Sequence, residues 1–219
     1  MKAFLRKYWF VLAIAIAFII TVVAYNAFSK TEHFQSFLVW SNQNLILFAV
    51  ILTILKIIGI VWPPLPGLVF TLGSIPIIGW PEALLVDLIG SIIGSSMVFW
   101  LSRKYGISVV RKVFGESGVN QVRRVKFDPR NELEALVIMR TFGGPVSELV
   151  SYGAGVSNIT YFHFLIGSVF SHLILVTPLF YLTSLAFSSG GGLILGVVPL
   201  LIGIVIMYLL RHRYFILED

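Results

Sequence analysis

Long apolar runs alternate with short polar breaks along the chain, and the runs are too long for a soluble core. Five of them, at roughly 8–28, 44–62, 82–101, 160–184 and 193–210, reach or approach the ~20 residues that cross a bilayer. The first run exceeds the apolar region of a signal peptide and no small-x-small cleavage pattern follows it, so a retained span is predicted. The intervening SKTEHFQSFLVWSNQN is short and mixed, which predicts an interfacial connector, with Trp40 and Trp62 at headgroup level. SSGGG, residues 188–192, is a turn by composition.

Two further stretches are apolar yet unsuited to continuous helix. WPPLPGLVFTLGSIPIIGWP, residues 62–81, holds five prolines and three glycines, and each internal proline removes a backbone donor and crowds the preceding turn. MRTFGGPVSELVSYGAG, residues 139–155, breaks at Gly143, Gly144 and Pro145. Non-helical backbone is tolerated at membrane depth only where protein or a wet cavity surrounds it. Both stretches, near 62–81 and 134–156, are therefore predicted to be re-entrant hairpins. A span with small residues follows each: GSIIGSSM at 90–97 and GSVFSH at 167–172, which permits close helix packing. The order of broken hairpin and small-residue span occurs twice. Paired interruptions of this kind point to a transport site.

The predicted fold is an all-α polytopic membrane protein with about five transmembrane helices and two re-entrant helical hairpins in a weak inverted repeat. Residues 1–43 form an N-terminal span and connector, 44–185 the core, and 186–219 a C-terminal span and tail. Segment 102–133, basic and partly amphipathic, divides the core and is predicted to be cytoplasmic with the C-terminus. Five spans would then place Lys2, Arg6 and Lys7 outside, against the same charge rule, so either a hairpin crosses fully or one terminus breaks the rule.

Composition narrows the function. The chain is 58% hydrophobic and 12% charged, about half the charged fraction of a soluble domain. Its net charge of +6 is read as loop bias rather than as a nucleic-acid surface. The absence of cysteine removes disulfides and thiolate chemistry. No HExxH, Walker, GxSxG or GxGxxG pattern occurs, so no enzyme, metal site or cofactor is expected.

Charges inside apolar runs carry the candidate chemistry. Arg140 at membrane depth costs between ~2.5 and 17 kcal/mol, which makes it a functional hypothesis with a partner to be named. Its fork of donors suits a phosphate or carboxylate; the competing reading is a structural pair with Glu148, or snorkelling. Glu148, eight residues on, is either a proton-exchanging carboxylate or the counter-ion of Arg140. Asp87, deep in the third span, is assigned to the pathway. Glu82, after Trp80-Pro81, suits a helix start and joins the site as its outermost acid. Lys56 either snorkels or pairs with Asp87. Pro63, Pro64, Pro66 and Gly67 shape the first hairpin, and Gly143, Gly144 and Pro145 the second, where freed backbone donors could hold an anion. His163 and His172 lie nine apart on the fourth span; His172 is a candidate proton relay.

With these residues in view, the core resembles the DedA family and its wider relatives, the SNARE-associated Golgi (VTT-domain) proteins, over about 60–180. The matching features are the proline–glycine hairpin and small-residue span, the ending Phe99, Arg103, Gly106, the arginine–proline hairpin, and Tyr-Gly-Ala-Gly at 152–155. The resemblance implies opposed hairpins and lipid translocation: flipping of undecaprenyl phosphate or phosphatidylethanolamine in bacterial members, scrambling in eukaryotic ones, with proton coupling in some. DedA members carry a second arginine where this chain has Val146, and acids in the first hairpin where 63–80 has none. The resemblance is thus closer to the wider VTT-type proteins than to DedA proper.

The expected function is a flippase or scramblase for anionic or zwitterionic phospholipid or polyprenyl-phosphate headgroups, with membrane lipids as partners, protons as candidate coupling ion, homo-oligomers as a further candidate, and a bacterial inner membrane as location. The alternatives are a proton-coupled ion or small-solute transporter and a non-transporting scaffold working through the basic loop.

Overall fold

The computed structural model describes residues 31–62, 65, 67–124, 132–142 and 147–188. The predicted spans at 8–28 and 193–210, and Pro63, Pro64, Pro66, Gly143, Gly144 and Pro145, lie outside the described residues. Among those described, the chain is all helix with no strand.

Helix α1 (Glu32–Gln43) is the mixed connector of the sequence. Thr31 caps it by accepting from the Phe34 amide, and Glu32 adds negative charge to its first turn. It meets α2 (Leu45–Val61) at 102°, and Trp40 and Trp62 stand exposed near the two ends of α2, as an aromatic belt requires. The first interrupted stretch becomes two short helices, α3 (Gly67–Gly73) and α4 (Ile75–Ile78). Pro76 and Pro81 fall in the first turns of α4 and of the next helix, where no amide donor is needed.

Helices α5 (Trp80–Tyr105) and α9 (Tyr161–Ser188) are long and apolar enough to cross a membrane, α9 through Leu185; the bent pair α1–α2 is a third candidate if counted as one span. Between them lie α6 (Ile107–Arg124), α7 (Glu132–Phe142) and α8 (Ser147–Val156). The basic connector is thus largely helical, and α6 lays Val110, Val119 and Val122 into a cluster with Leu149 and Tyr152 of α8.

The centre of the bundle is α5, which touches α2, α3, α4, α6, α8 and α9. Its buried stripe is Ala83, Val86, Asp87, Gly90, Ser91, Gly94, Ser95, Val98, Phe99 and Ser102, while Leu85, Ile89, Ile93, Met97 and Trp100 face outward. The spacing is helical, but the polarity is inverted from that of a soluble helix: small and polar inside, large and apolar outside. The small residues set the distances between helices. A Cβ at Gly90 would stand 2.7 Å from Lys56 Cγ, and one at Gly155 of α8 would collide with the Phe99 carbonyl oxygen and lie 2.6 Å from Ser102 Cβ. Helix α2 therefore reaches α5 at glycines of α5, bringing Lys56 to Gly90 and Ile60 to Gly94, and α8 reaches it through a glycine of its own.

Candidate functional site

Four elements meet at Asp87. The carboxylate is completely buried. Lys56 Nζ of α2 lies 2.6 Å from Oδ1, and the Thr71 hydroxyl of α3 donates to the same oxygen at 2.5 Å. His172 Nε2 of α9 lies 2.9 Å from Oδ2. That approach has the distance of an ion pair but not the direction of a hydrogen bond, so Asp87 Oδ2 and His172 Nε2 are both buried without a hydrogen-bond partner among the described residues. The sequence left Lys56 between snorkelling and pairing; it pairs. Its alkyl stem passes Gly67 and Gly90, whose missing side chains make the channel it occupies. The Gly67 amide is donated to the Leu65 carbonyl.

His172 also faces a small cavity of about 10 Å³, shared with Ser91 and Ser95 of α5, Arg140 of α7 and Ser168 of α9. That is room for about one water. Asp87, Ser91 and Ser95 are four apart and lie on one face of α5. A polar seam thus runs from Lys56 through Asp87 and His172 to Arg140, and it crosses the bundle through neighbours the sequence keeps far apart.

Arg140 has partners of another kind. Its Nη1 donates to Ser151 Oγ of α8 at 2.5 Å, and its guanidinium lies 5.6 Å from the centre of the Phe164 ring. The Glu148 carboxylate of α8 acts on it electrostatically. Phe164 stacks on Phe99 with centroids 4.6 Å apart, and Arg103 lies over Phe99 at 4.8 Å. Two arginines therefore flank a pair of stacked rings.

Glu82 stands in the first turn of α5, exposed and apart from this seam. Its carboxylate covers Gly79, where a Cβ would lie 2.6 Å from Oε2, but it forms no capping hydrogen bond. His163 pairs with Glu132 at 3.0 Å and is half exposed. The sequence reading missed Thr71, Phe164 and the serine lining. The four-residue spacing of Asp87, Ser91 and Ser95 was a readable signal, whereas the aromatic stack depends on a contact between distant helices.

A family model for the VTT domain, the domain shared by DedA and SNARE-associated Golgi proteins, matches residues 65–185, more than half of the chain. The protein belongs to the VTT-domain family. It is an integral membrane protein. No curated protein and no solved structure matches it. The geometry gives physical reasons for the residues that carried the resemblance. In this VTT domain, Phe99 is a core ring, and Arg103 donates to the Ile159 carbonyl at 2.6 Å and reaches the Ala154 carbonyl at 3.4 Å, closing the C-terminal end of α8. Gly106 takes φ 64° at the break between α5 and α6. Tyr152 donates its hydroxyl to the Val61 carbonyl at 2.8 Å, and Gly155 lets α8 touch α5. These motif residues hold α8 against α2 and α5.

Proposed function

We propose that this VTT-domain protein is a lipid translocator, a flippase or scramblase, that moves phosphate-bearing headgroups between leaflets without a chemical step. The observation that carries this reading is Arg140. It lies on a short helix beside the glycine–proline break, and its described partners are a hydroxyl, an aromatic face and the charge of Glu148. A guanidinium with donors in a fork suits a phosphate. Glu148 supplies a counter-charge that Arg140 can exchange for the ligand. Asp87 acts from behind, by fixing the lysine and the histidine. Glu82 stands at the outer end of α5. The two interrupted stretches act as re-entrant hairpins and pass the headgroup while the acyl chains stay in the bilayer. The family membership supports a transporter-like role at the coarse level; the lipid substrate and a bacterial inner membrane belong to the proposal.

The test is headgroup translocation in proteoliposomes with a panel of labelled phospholipids, comparing wild type, Arg140→Ala and Glu148→Gln. Wild type should move lipid above the empty-vesicle rate, and folded Arg140→Ala should fall by at least about tenfold, the scale of a lost charge-assisted hydrogen bond. Equal movement by both would make Arg140 a structural residue. The buried Lys56–Asp87–His172 cluster favours one alternative, a proton-coupled solute transporter. In that case an imposed proton gradient would change uptake of a water-soluble solute while headgroups stayed in place.

A further inference from the structure

We propose that the cavity between α5, α7 and α9 is a phosphate subsite in which the His172 ring is a second donor beside Arg140, and that His172 turns away from Asp87 to bind. The proposal deepens the translocation reading and rests on it for the source of the phosphate.

The cavity wall has the chemistry of an anion site. Its polar groups are two basic side chains and three serine hydroxyls, with an aliphatic remainder and no carboxylate. Ser168 and Ser95 now donate to carbonyls of their own helix, Phe164 and Ile92, and Ser91 makes no hydrogen bond among the described residues. Hydroxyl protons rotate freely enough to turn toward an anion. Asp87 lies behind His172, and its charge is already matched by Lys56. The cavity face of the seam therefore carries the Arg140 guanidinium, a histidine ring and three hydroxyls, with Glu148 as the charge opposing Arg140.

His172 is the one residue that belongs to both the Asp87 cluster and the cavity lining. Its contact with Asp87 is 2.9 Å but poorly directed, so turning the ring gives up one short polar contact and no well-directed hydrogen bond. Asp87 keeps Lys56 and the Thr71 hydroxyl when the ring leaves. At about 10 Å³ the cavity now suits a water. A phosphate is larger, so binding parts α9 or α7 from α5, and the imidazole that moves with α9 becomes a ligand. Arg140 supplies a fork from one side and His172 a single donor from the other, an arrangement for a tetrahedral group with oxygens on both faces.

The experiment reads binding separately from transport. The full chain carrying His33→Gln, His163→Gln and His212→Gln keeps His172 as its single histidine. With ring-labelled ¹⁵N histidine in nanodiscs, the ring nitrogens are followed by NMR during titration with dihexanoyl phosphatidylglycerol, inorganic phosphate, or dihexanoylglycerol, which lacks phosphate. The two phosphate-bearing probes should shift the His172 signals. A shift with phosphatidylglycerol alone identifies a lipid source, and a shift with both identifies recognition of the phosphate itself. Affinity should fall roughly tenfold or more in His172→Gln and in Arg140→Ala, as expected for loss of a charge-assisted bond. No shift with either phosphate probe, or an equal shift with dihexanoylglycerol, overturns the proposal. Should the triple substitution fail to fold, the wild-type chain is titrated and its four histidines are assigned by removing them one at a time. Translocation is scored in the same protein. A phosphate-dependent shift without lipid movement keeps the subsite and sinks the translocator; lipid movement without a shift does the reverse.

Discussion

The two charge clusters among the described helices, one buried at Asp87 and one half-buried at Arg140, are built on different plans. Asp87 ties four elements together: its partners come from α2, α3 and α9, and the carboxylate has no exposed surface. Arg140 is tied more locally, to Ser151 and the charge of Glu148 on α8, the next helix in the chain, and to one ring on α9. The first arrangement has a charge matched by a charge and satisfies most of what it buries. The second holds a cation by a hydroxyl, an aromatic face and the charge of Glu148. A buried pair resists removal of either member, whereas a partly exposed cation with a hydroxyl, a ring and a nearby carboxylate around it can change partners. The first cluster thus ties the bundle together, and the second is where the proposed ligand would bind.

The comparison breaks most visibly at Asp87. Asp87→Ala strands Lys56 in the interior, and removing one member of a buried pair costs about 3–5 kcal/mol. The expected result is a large loss of melting temperature in detergent, or no folded protein. Arg140→Ala is expected to stay within about 3 kcal/mol of wild type, because what it loses is one charge-assisted hydrogen bond at a partly exposed site. Equal losses would show that both clusters are architectural. The double variant Lys56→Met, Asp87→Leu should recover to within about 1 kcal/mol of wild type, since apolar replacement of a whole buried pair is often neutral.

Steric changes at the small-residue contacts come next. Gly155→Ala drives a methyl into the Phe99 carbonyl and Ser102, where the obstacle is backbone, and overpacking of this kind costs about 1–3 kcal/mol. Gly90→Ala meets the Lys56 stem, which is flexible along its length but anchored at Nζ by Asp87. The two should differ in a telling way. Gly155→Ala should destabilise alone, whereas the cost of Gly90→Ala should shrink when Lys56 and Asp87 are already replaced by Met and Leu. Additive losses would mean that Lys56 is not held as the geometry indicates.

Much of this was legible in the residues. The positions of α2, α5 and α9, the mixed connector before α2, and the interruption of 62–81 follow from apolar run length and from proline chemistry, which act locally. The candidate charges stood out because acids and arginines inside apolar runs are costly. What the residues did not disclose was which charges meet. Lys56 and Asp87 are 31 positions apart, and Asp87 and His172 are 85 apart, so their meeting depends on how α5 sits among its neighbours. The stack of Phe99 on Phe164 was hidden for the same reason. In a chain this rich in phenylalanine no local pattern marks which two rings will touch.

The stack gives a smaller effect that sharpens the contrast. Phe164→Leu keeps an apolar side chain in the core but removes the face over which Arg140 lies. Stability should fall by about 0.5–2 kcal/mol. Translocation should fall further than stability does, since the guanidinium loses part of what positions it. A proportional fall in both would make the ring a packing residue only.

The smallest expected effect separates the two histidines of α9. His163 is paired with Glu132 but is 45% exposed, and an ion pair in such a setting contributes about 0–1 kcal/mol. His163→Gln should therefore leave melting and translocation close to wild type. Any difference should vanish at 1 M salt, where charges are screened beyond ~3 Å. His172, nine residues on, is nearly covered and sits between Asp87 and the cavity, so bulk salt should change the effect of His172→Gln much less. If both substitutions respond alike to salt, the Asp87 end of the seam is open to water, and the contrast between a sealed cluster and an exchangeable one fails.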